Sequence, residues 1–347
     1  MPSRLRRFGR VVVGFALALL VVGGLLQTVG VRGVVSTLAG ADPVPVALGG
    51  VVSVVAVLCW SEALRRVLSF TVPASEDGVG PVTGVRFRAA YLAGDFTKQV
   101  MPMGHVSGPA ILSYWVSDAF DLEYERTLAA VTVSDLLNLL ASLAIAAVGV
   151  CAVAVAGGRG LDVFVASLAV AGGGVAGLLA LVTVYRPTLT RAVRRLATAG
   201  HALARRTTGH APRRLNPDAV EAGLRDYYAT LDVVGEARNR RAVGVAGGVA
   251  LLGWCCYAAP LYAAALALDA SVSLPLALLL VPLAGLATWV PLPGGLGGVE
   301  VALTSGLVAI GGLPVDLAAA VALLYRLCSY WFVVAVDGVA AATLLGR

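Results

Sequence analysis

The residues able to do chemistry in this chain sit where polar groups are expensive. Asp95, Lys98 and His105 flank a break at Pro102 and Gly104, and Asp135 and Asn138 fall inside a long apolar run. Glu300 closes the stretch Val290-Pro-Leu-Pro-Gly-Gly-Leu-Gly-Gly-Val-Glu300, and Tyr325 with Arg326 lies in a further apolar run. In hydrocarbon a broken helix strands its amides and carbonyls and an ionised side chain is costly, so both are tolerated where they face the protein interior or a polar cavity. Lys98, Arg326 and the glycine loop around Pro293, Gly294, Gly295, Gly297 and Gly298 suit a phosphate, through cations and free amides at helix N-termini. Glu300 suits a cationic substituent or a proton. An internal role is equally open: Glu300 pairs with Arg326 and Asp95 with Lys98, holding the broken helices together.

The same residues argue against other chemistries. His105 and Ser107 near Asp95 come without a nucleophile motif, so no enzyme is expected. The glycines lack the lysine and hydroxyl of a nucleotide-binding loop. Cys59, Cys151, Cys255, Cys256 and Cys328 show no metal-ligand spacing and read as small core residues, so neither metal nor other cofactor is expected.

The elements that must position these groups follow from composition. Over 347 residues the chain is 59% hydrophobic and 13% charged, with mean hydropathy +0.87, which predicts an all-α polytopic membrane protein. The net charge of +6 comes from arginines placed in blocks between apolar stretches, the pattern of cytoplasmic loops and not of a nucleic-acid face. Six full crossings are predicted: Val11 to Val31, Val44 to Trp60, Thr127 to Ala156, Leu161 to Tyr185, Val243 to Leu268 and Leu317 to Leu345. The basic N-terminus (Arg4, Arg6, Arg7, Arg10) precedes a run with no small-residue cleavage site, so the first is read as a retained helix. Both termini are then cytoplasmic, in a multi-pass protein of the cell membrane forming one integral domain over 1–347. The polar stretch 186–241 holds twelve arginines against five carboxylates and is placed in the cytoplasm. Leu189, Val193 and Leu196, then Leu224, Tyr227, Tyr228 and Leu231, give it the look of one or two helices on the membrane surface.

Two apolar segments resist assignment as crossings. Residues 89–114 and 274–313 each contain proline and glycine in mid-segment, and each is flanked by ends on one side of the membrane. They are predicted as re-entrant pairs of half-helices. Pro102-x-Gly104-x-x-x-Gly108-Pro109 aligns with Pro293-x-Gly295-x-x-x-Val299-Glu300. The order crossing, loop, crossing occurs over 44–157 and again, inverted, over 243–345, an arrangement that points to a midplane substrate site. Proline kinks in ordinary spans are the competing account.

The stretch from Val290 to Glu300, with Leu323-Leu-Tyr-Arg326 and Tyr330, resembles the second half of the flippase-like membrane domain of lysylphosphatidylglycerol synthases. Gly94-Asp-Phe through Pro102-Met-Gly104 to Tyr114 is similar to its first half. The resemblance implies movement of a phospholipid or lipid-linked intermediate between leaflets, through a polar cavity formed by the two loops. Relatives carry asparagine at the place of Lys98 and glutamate at that of Pro109, so the first loop here has exchanged a carboxylate for a cation. No soluble aminoacyl-transferase domain is expected. The alternative is a non-transporting subunit that presents a lipid to a separate enzyme such as a glycosyltransferase. Gly172-Gly-Gly174, Gly177, Gly244, Gly247, Gly248 and Gly253 permit close helix packing within one chain or in a homo-oligomer.

Overall fold

Four helices have the length and apolar character needed to cross a bilayer: Pro43–Thr71, Tyr124–Val155, Ala237–Leu266 and Val315–Leu344. They belong to a computed structural model that describes residues 20, 23–24, 27, 30–71, 82, 84–101, 104–157, 161–208, 216–289 and 292–345. In chain order the helices are α1 (Val31–Ala39), α2 (Pro43–Thr71), α3 (Gly84–Val100), α4 (Gly104–Phe120), α5 (Tyr124–Val155), α6 (Asp162–Val184) and α7 (Arg186–Thr208). They continue with α8 (Pro217–Gly235), α9 (Arg240–Leu266), α10 (Leu274–Gly285), α11 (Gly298–Ala309), α12 (Val315–Arg326) and α13 (Phe332–Leu345). A π-helical turn, Leu327–Trp331, joins α12 to α13 without ending the rod. Among the described residues there is no strand.

Of the six predicted crossings, four are these long helices, and α6 fills the fourth, Leu161 to Tyr185, apart from its two end residues. The first, Val11 to Val31, lies outside the described residues apart from single positions. The second runs past its predicted end at Trp60. α2 continues to Thr71, and in this extension the Glu62 carboxylate pairs with Arg65 (2.6 Å), Arg66 (3.0 Å) and Arg88 of α3 (2.6 Å). Cys328 is buried as expected, whereas Cys151 and Cys255 are exposed on outer faces and contribute nothing to a core.

Each broken segment is an antiparallel helical hairpin. Gly94 of α3 abuts Leu112 of α4, and Gly108 abuts Lys98. In the second pair, Gly298 lies against Ala287, Gly306 against Leu280 and Gly311 against Leu276, so residue numbers rise on one arm as they fall on the other. The second break has a direct backbone cause. Gly294, Gly295 and Gly297 adopt φ of 55°, 63° and 86°, a region that side chains with a Cβ enter at a cost. Proline alone does not end a helix here, since Pro109, Pro260 and Pro282 sit inside α4, α9 and α10.

The second hairpin packs into a core with α9 and α12, centred on Leu261, Leu279, Leu303, Leu307 and Val321. The first packs with α2 and α5 around Leu64, Phe87, Val116 and Val131. In lipid such contacts hold by close packing and not by exclusion of water, so small residues mark the tightest approaches. At Gly149 of α5 an added Cβ would stand 2.5 Å from the backbone nitrogen of Leu279. Gly172 of α6 has nothing within 4 Å. We therefore predict that Gly149→Ala lowers stability in detergent by about 1–3 kcal/mol, while Gly172→Ala leaves the melting temperature unchanged. Equal effects would refute the close approach of α5 to α10.

Candidate functional site

Glu300 is the third residue of α11, one turn inside the glycine loop. Its Oε2 accepts the Gly297 N–H at 2.6 Å, satisfying an amide that the helix start leaves without an intrahelical acceptor. Its Oε1 accepts Arg326 Nε at 3.0 Å, across 26 residues of chain. Arg326 Nη2 donates to the Gly294 carbonyl at 2.8 Å, and the guanidinium lies 4.4 Å from the Tyr330 ring centroid. Glu300 is 1% exposed and Arg326 4%. The expected pair is thus direct, and it also holds both ends of the loop. The Gly297 amide, read from the sequence as a donor free for phosphate, is taken by the protein's own carboxylate.

A second cluster forms at the end of α3. Lys98 Nζ pairs with Asp95 Oδ1 at 2.6 Å. The Gln99 side-chain amide donates to Asp95 Oδ2 and, at 3.3 Å, to Asp337 Oδ2 on α13. Asp337 is 1% exposed. Asp135 of α5 lies within electrostatic reach of Lys98 and Asp95, yet is itself exposed. Asn138, one helical turn further along, has a buried Oδ1 with no hydrogen-bond partner among the described residues. Three carboxylates therefore converge on a single ammonium.

Tyr330 connects the two clusters. Its ring packs on Gly294 and under Arg326, and its hydroxyl donates to the Gln99 carbonyl at 3.2 Å. The arms of the first hairpin also touch the Pro293–Gly295 turn, so the two breaks meet. Pro293, Gly294, Gly295 and Gly297 are buried there, and Gly298 opens α11. Gly104 is buried against the Lys98 carbonyl. Pro102 and the His105 side chain lie outside the described residues. Tyr325 does not join the ionic groups. It is buried edge-on to Tyr257 at 6.2 Å, in an aromatic cluster with Trp60 and Trp254.

Asp337 was not singled out from the sequence. The signal was present, because it is the one carboxylate in the apolar run from Trp331 to Leu345, and an ionisable residue inside a span is a candidate functional group. Two open apolar grooves, of about 600 and 500 Å³, lie on α5 around Val148 and on α6 around Val170. Neither is lined by residues of the ionic clusters.

The family model of the lysylphosphatidylglycerol synthase TM region matches residues 11–336. A comparison with curated proteins gives no match.

The Glu300–Arg326 geometry makes a sharp energetic prediction. Arg326→Met leaves a buried carboxylate with no counter-charge and should cost about 3–5 kcal/mol. The double change Arg326→Met with Glu300→Leu should recover part of this, though not all, because Gly294 and Gly297 also lose a partner. Melting curves of the two single variants and the double in one detergent give the coupling; additive losses would refute a mutual pair.

Proposed function

This chain belongs to the lysylphosphatidylglycerol synthase transmembrane-region family, and from that premise we propose that it moves a phospholipid or lipid-linked intermediate between leaflets. The observation that carries the reading is the asymmetry of the second cluster. Lys98 is tied to Asp95, while Asp135, on a helix able to cross the bilayer, stays exposed beside it and Asn138 keeps an unused acceptor. An open carboxylate on an apolar span is costly against lipid tails. It is useful where a headgroup enters. Lys98 offers the cation for a headgroup phosphate, and Asp135 with Asn138 offers acceptors for its amino or hydroxyl substituents. The acyl tails stay in the bilayer throughout.

The topology we propose has helix, hairpin, helix repeated in opposite orientations, with α3–α4 and α10–α11 as re-entrant hairpins entering from opposite sides. It supports two-sided access, because the hairpin tips then form the barrier between leaflets. Both termini and the stretch around Arg213 are assigned to the cytoplasm. A presenting subunit for a separate lipid-modifying enzyme is the second reading, favoured by one observation: Glu300 and Arg326 spend their bonds on each other and on the loop backbone.

Two measurements test the proposal. Purified protein in vesicles carrying headgroup-labelled phospholipid should raise lipid movement above that of empty vesicles. Asp135→Asn, at an exposed position without a direct ion pair, should then slow it several-fold with an unchanged melting temperature. Movement no faster than in empty vesicles across a panel of headgroups supports the presenting subunit; movement indifferent to Asp135→Asn removes this site from the path. Separately, a cysteine at position 213 in a background without the native cysteines should resist an impermeant reagent in intact cells. Labelling from outside would overturn the inverted arrangement.

A further inference from the structure

α7 follows α6 at a bend at Tyr185, so it starts where an apolar 23-residue helix ends. Its sequence, Arg186–Thr208, contains six arginines and no carboxylate. Two of these are neutralised by α8: Arg186 by Asp232 at 2.7 Å and Arg194 by Glu221 at 3.0 Å. Ala197 is buried on that same side. Arg191 and Arg195 differ. Both are exposed, and neither meets a carboxylate among the described residues. At 100° per residue they share the side turned away from α8. Between that side and α8 runs an apolar edge in which Leu196 is 73% exposed and Val193 37%, with Leu196 about 100° round the helix from Arg195.

α8 does not share this character, which leaves α7 as the candidate among the one or two surface helices expected from the sequence. Its Leu231 and Val234 pack into the core formed by α2 to α5, and Gly223 abuts Glu125 at the start of α5. α8 is a bracket between the bundle and α7, so of these two helices α7 keeps the free amphipathic face.

We propose that this face of α7 docks on the bilayer surface and selects anionic phospholipid. Three observations agree on the occupant: the helix emerges directly from an apolar helix, its exposed leucine and valine form a narrow strip suited to shallow insertion, and Arg195 on the flank of that strip, with Arg191 a turn away, meets no carboxylate among the described residues. Phosphate groups at headgroup level supply the missing charge. The inference needs only a membrane-embedded chain, so it stands or falls apart from lipid transport.

The test uses the full chain in nanodiscs of phosphatidylcholine alone or with phosphatidylglycerol added. An environment-sensitive fluorophore on Leu196→Cys, in a background without the native cysteines, should emit as in an apolar medium only in the anionic discs, and revert in molar salt. Arg191→Gln with Arg195→Gln should lower the ratio of docked to undocked α7 roughly 30-fold, about five-fold per arginine. Because removal of the buried Cys328 could perturb folding, native mass spectrometry of the otherwise unaltered chain gives a second readout. It should retain phosphatidylglycerol over phosphatidylcholine, and the double arginine variant should lose that preference. Emission that is the same in both lipids, whether apolar or water-like, or an unchanged lipid preference in the arginine variant, overturns the proposal. Water-like emission in both would leave the face to an acidic protein partner.

Discussion

A chain break inside a membrane protein has no water to satisfy it, and the Pro293–Gly297 turn meets that constraint with one carboxylate and one guanidinium. Unpaired backbone groups in hydrocarbon cost several kcal/mol each. Glu300 takes the Gly297 amide, Arg326 takes the Gly294 carbonyl, and the two side chains neutralise each other. Neither could remain buried alone. The break therefore depends on α12 arriving with its last residue at the loop, which in turn fixes the second hairpin against α9 and α12. Where α12 ends, the helix widens into a π turn. Such turns re-aim side chains within an otherwise continuous helix, and here Tyr330, four residues after Arg326, comes to lie under the guanidinium and against Gly294.

Glycine serves two distinct ends in this architecture. In the loop, positive φ at Gly294, Gly295 and Gly297 gives a reversal that other residues enter only with strain. In the helices it is absence of volume that matters. Gly149 lets α5 reach the backbone of Leu279, Gly94 admits Leu112, and Gly253 seats the Trp60 indole. The glycines of α6, Gly172, Gly173, Gly174 and Gly177, have nothing within 4 Å. Their composition resembles that of a packing face, but a Cβ added at any of them would meet no neighbour among the described residues.

Much of this was legible in the sequence because the governing rules are local. Hydropathy and length pointed to the long crossings, and proline with nearby glycine marked both breaks. Charge in an apolar run identified Glu300, Arg326, Asp95 and Lys98, and the scarcity of partners made their pairing the economical outcome. What escaped was tertiary. Nothing near Gln99 in sequence says that its amide bridges Asp95 and Asp337, or that its carbonyl receives Tyr330 from over 200 residues away. Tyr325 adjoins Arg326 in sequence, but neighbouring residues on a helix point about 100° apart, so one faced the ionic loop and the other the aromatic cluster. The surface stretch left one or two helices open for a similar reason: α7 and α8 both carry amphipathic patterns, and packing decides which apolar edge is covered.

The two ionic clusters are unequal, and the difference orders what can move. Separating Glu300 from Arg326 would expose a buried ion pair and two loop backbone groups, a loss of about 3–5 kcal/mol or more. Parting Tyr330 from the Gln99 carbonyl breaks one neutral hydrogen bond, worth roughly 1 kcal/mol. Any motion that parts the hairpin tips therefore costs least at Tyr330, with the Glu300–Arg326 bracket travelling intact as part of the second hairpin. On the other side of that seam lie Asp95, Lys98 and Gln99, carried by α3, and Asp337, carried by α13. α13 continues directly from the helix bearing Arg326, yet it also packs along α3, where Gly338 lies against Phe96 and Gln99 bonds Asp337 at 3.3 Å. Lys98 keeps Asp95 as its partner, with Asp135 still in reach from α5. Lys98, with one fixed and one open carboxylate beside it, thus lies close to the seam where the hairpin tips meet, the position that the proposed headgroup site requires.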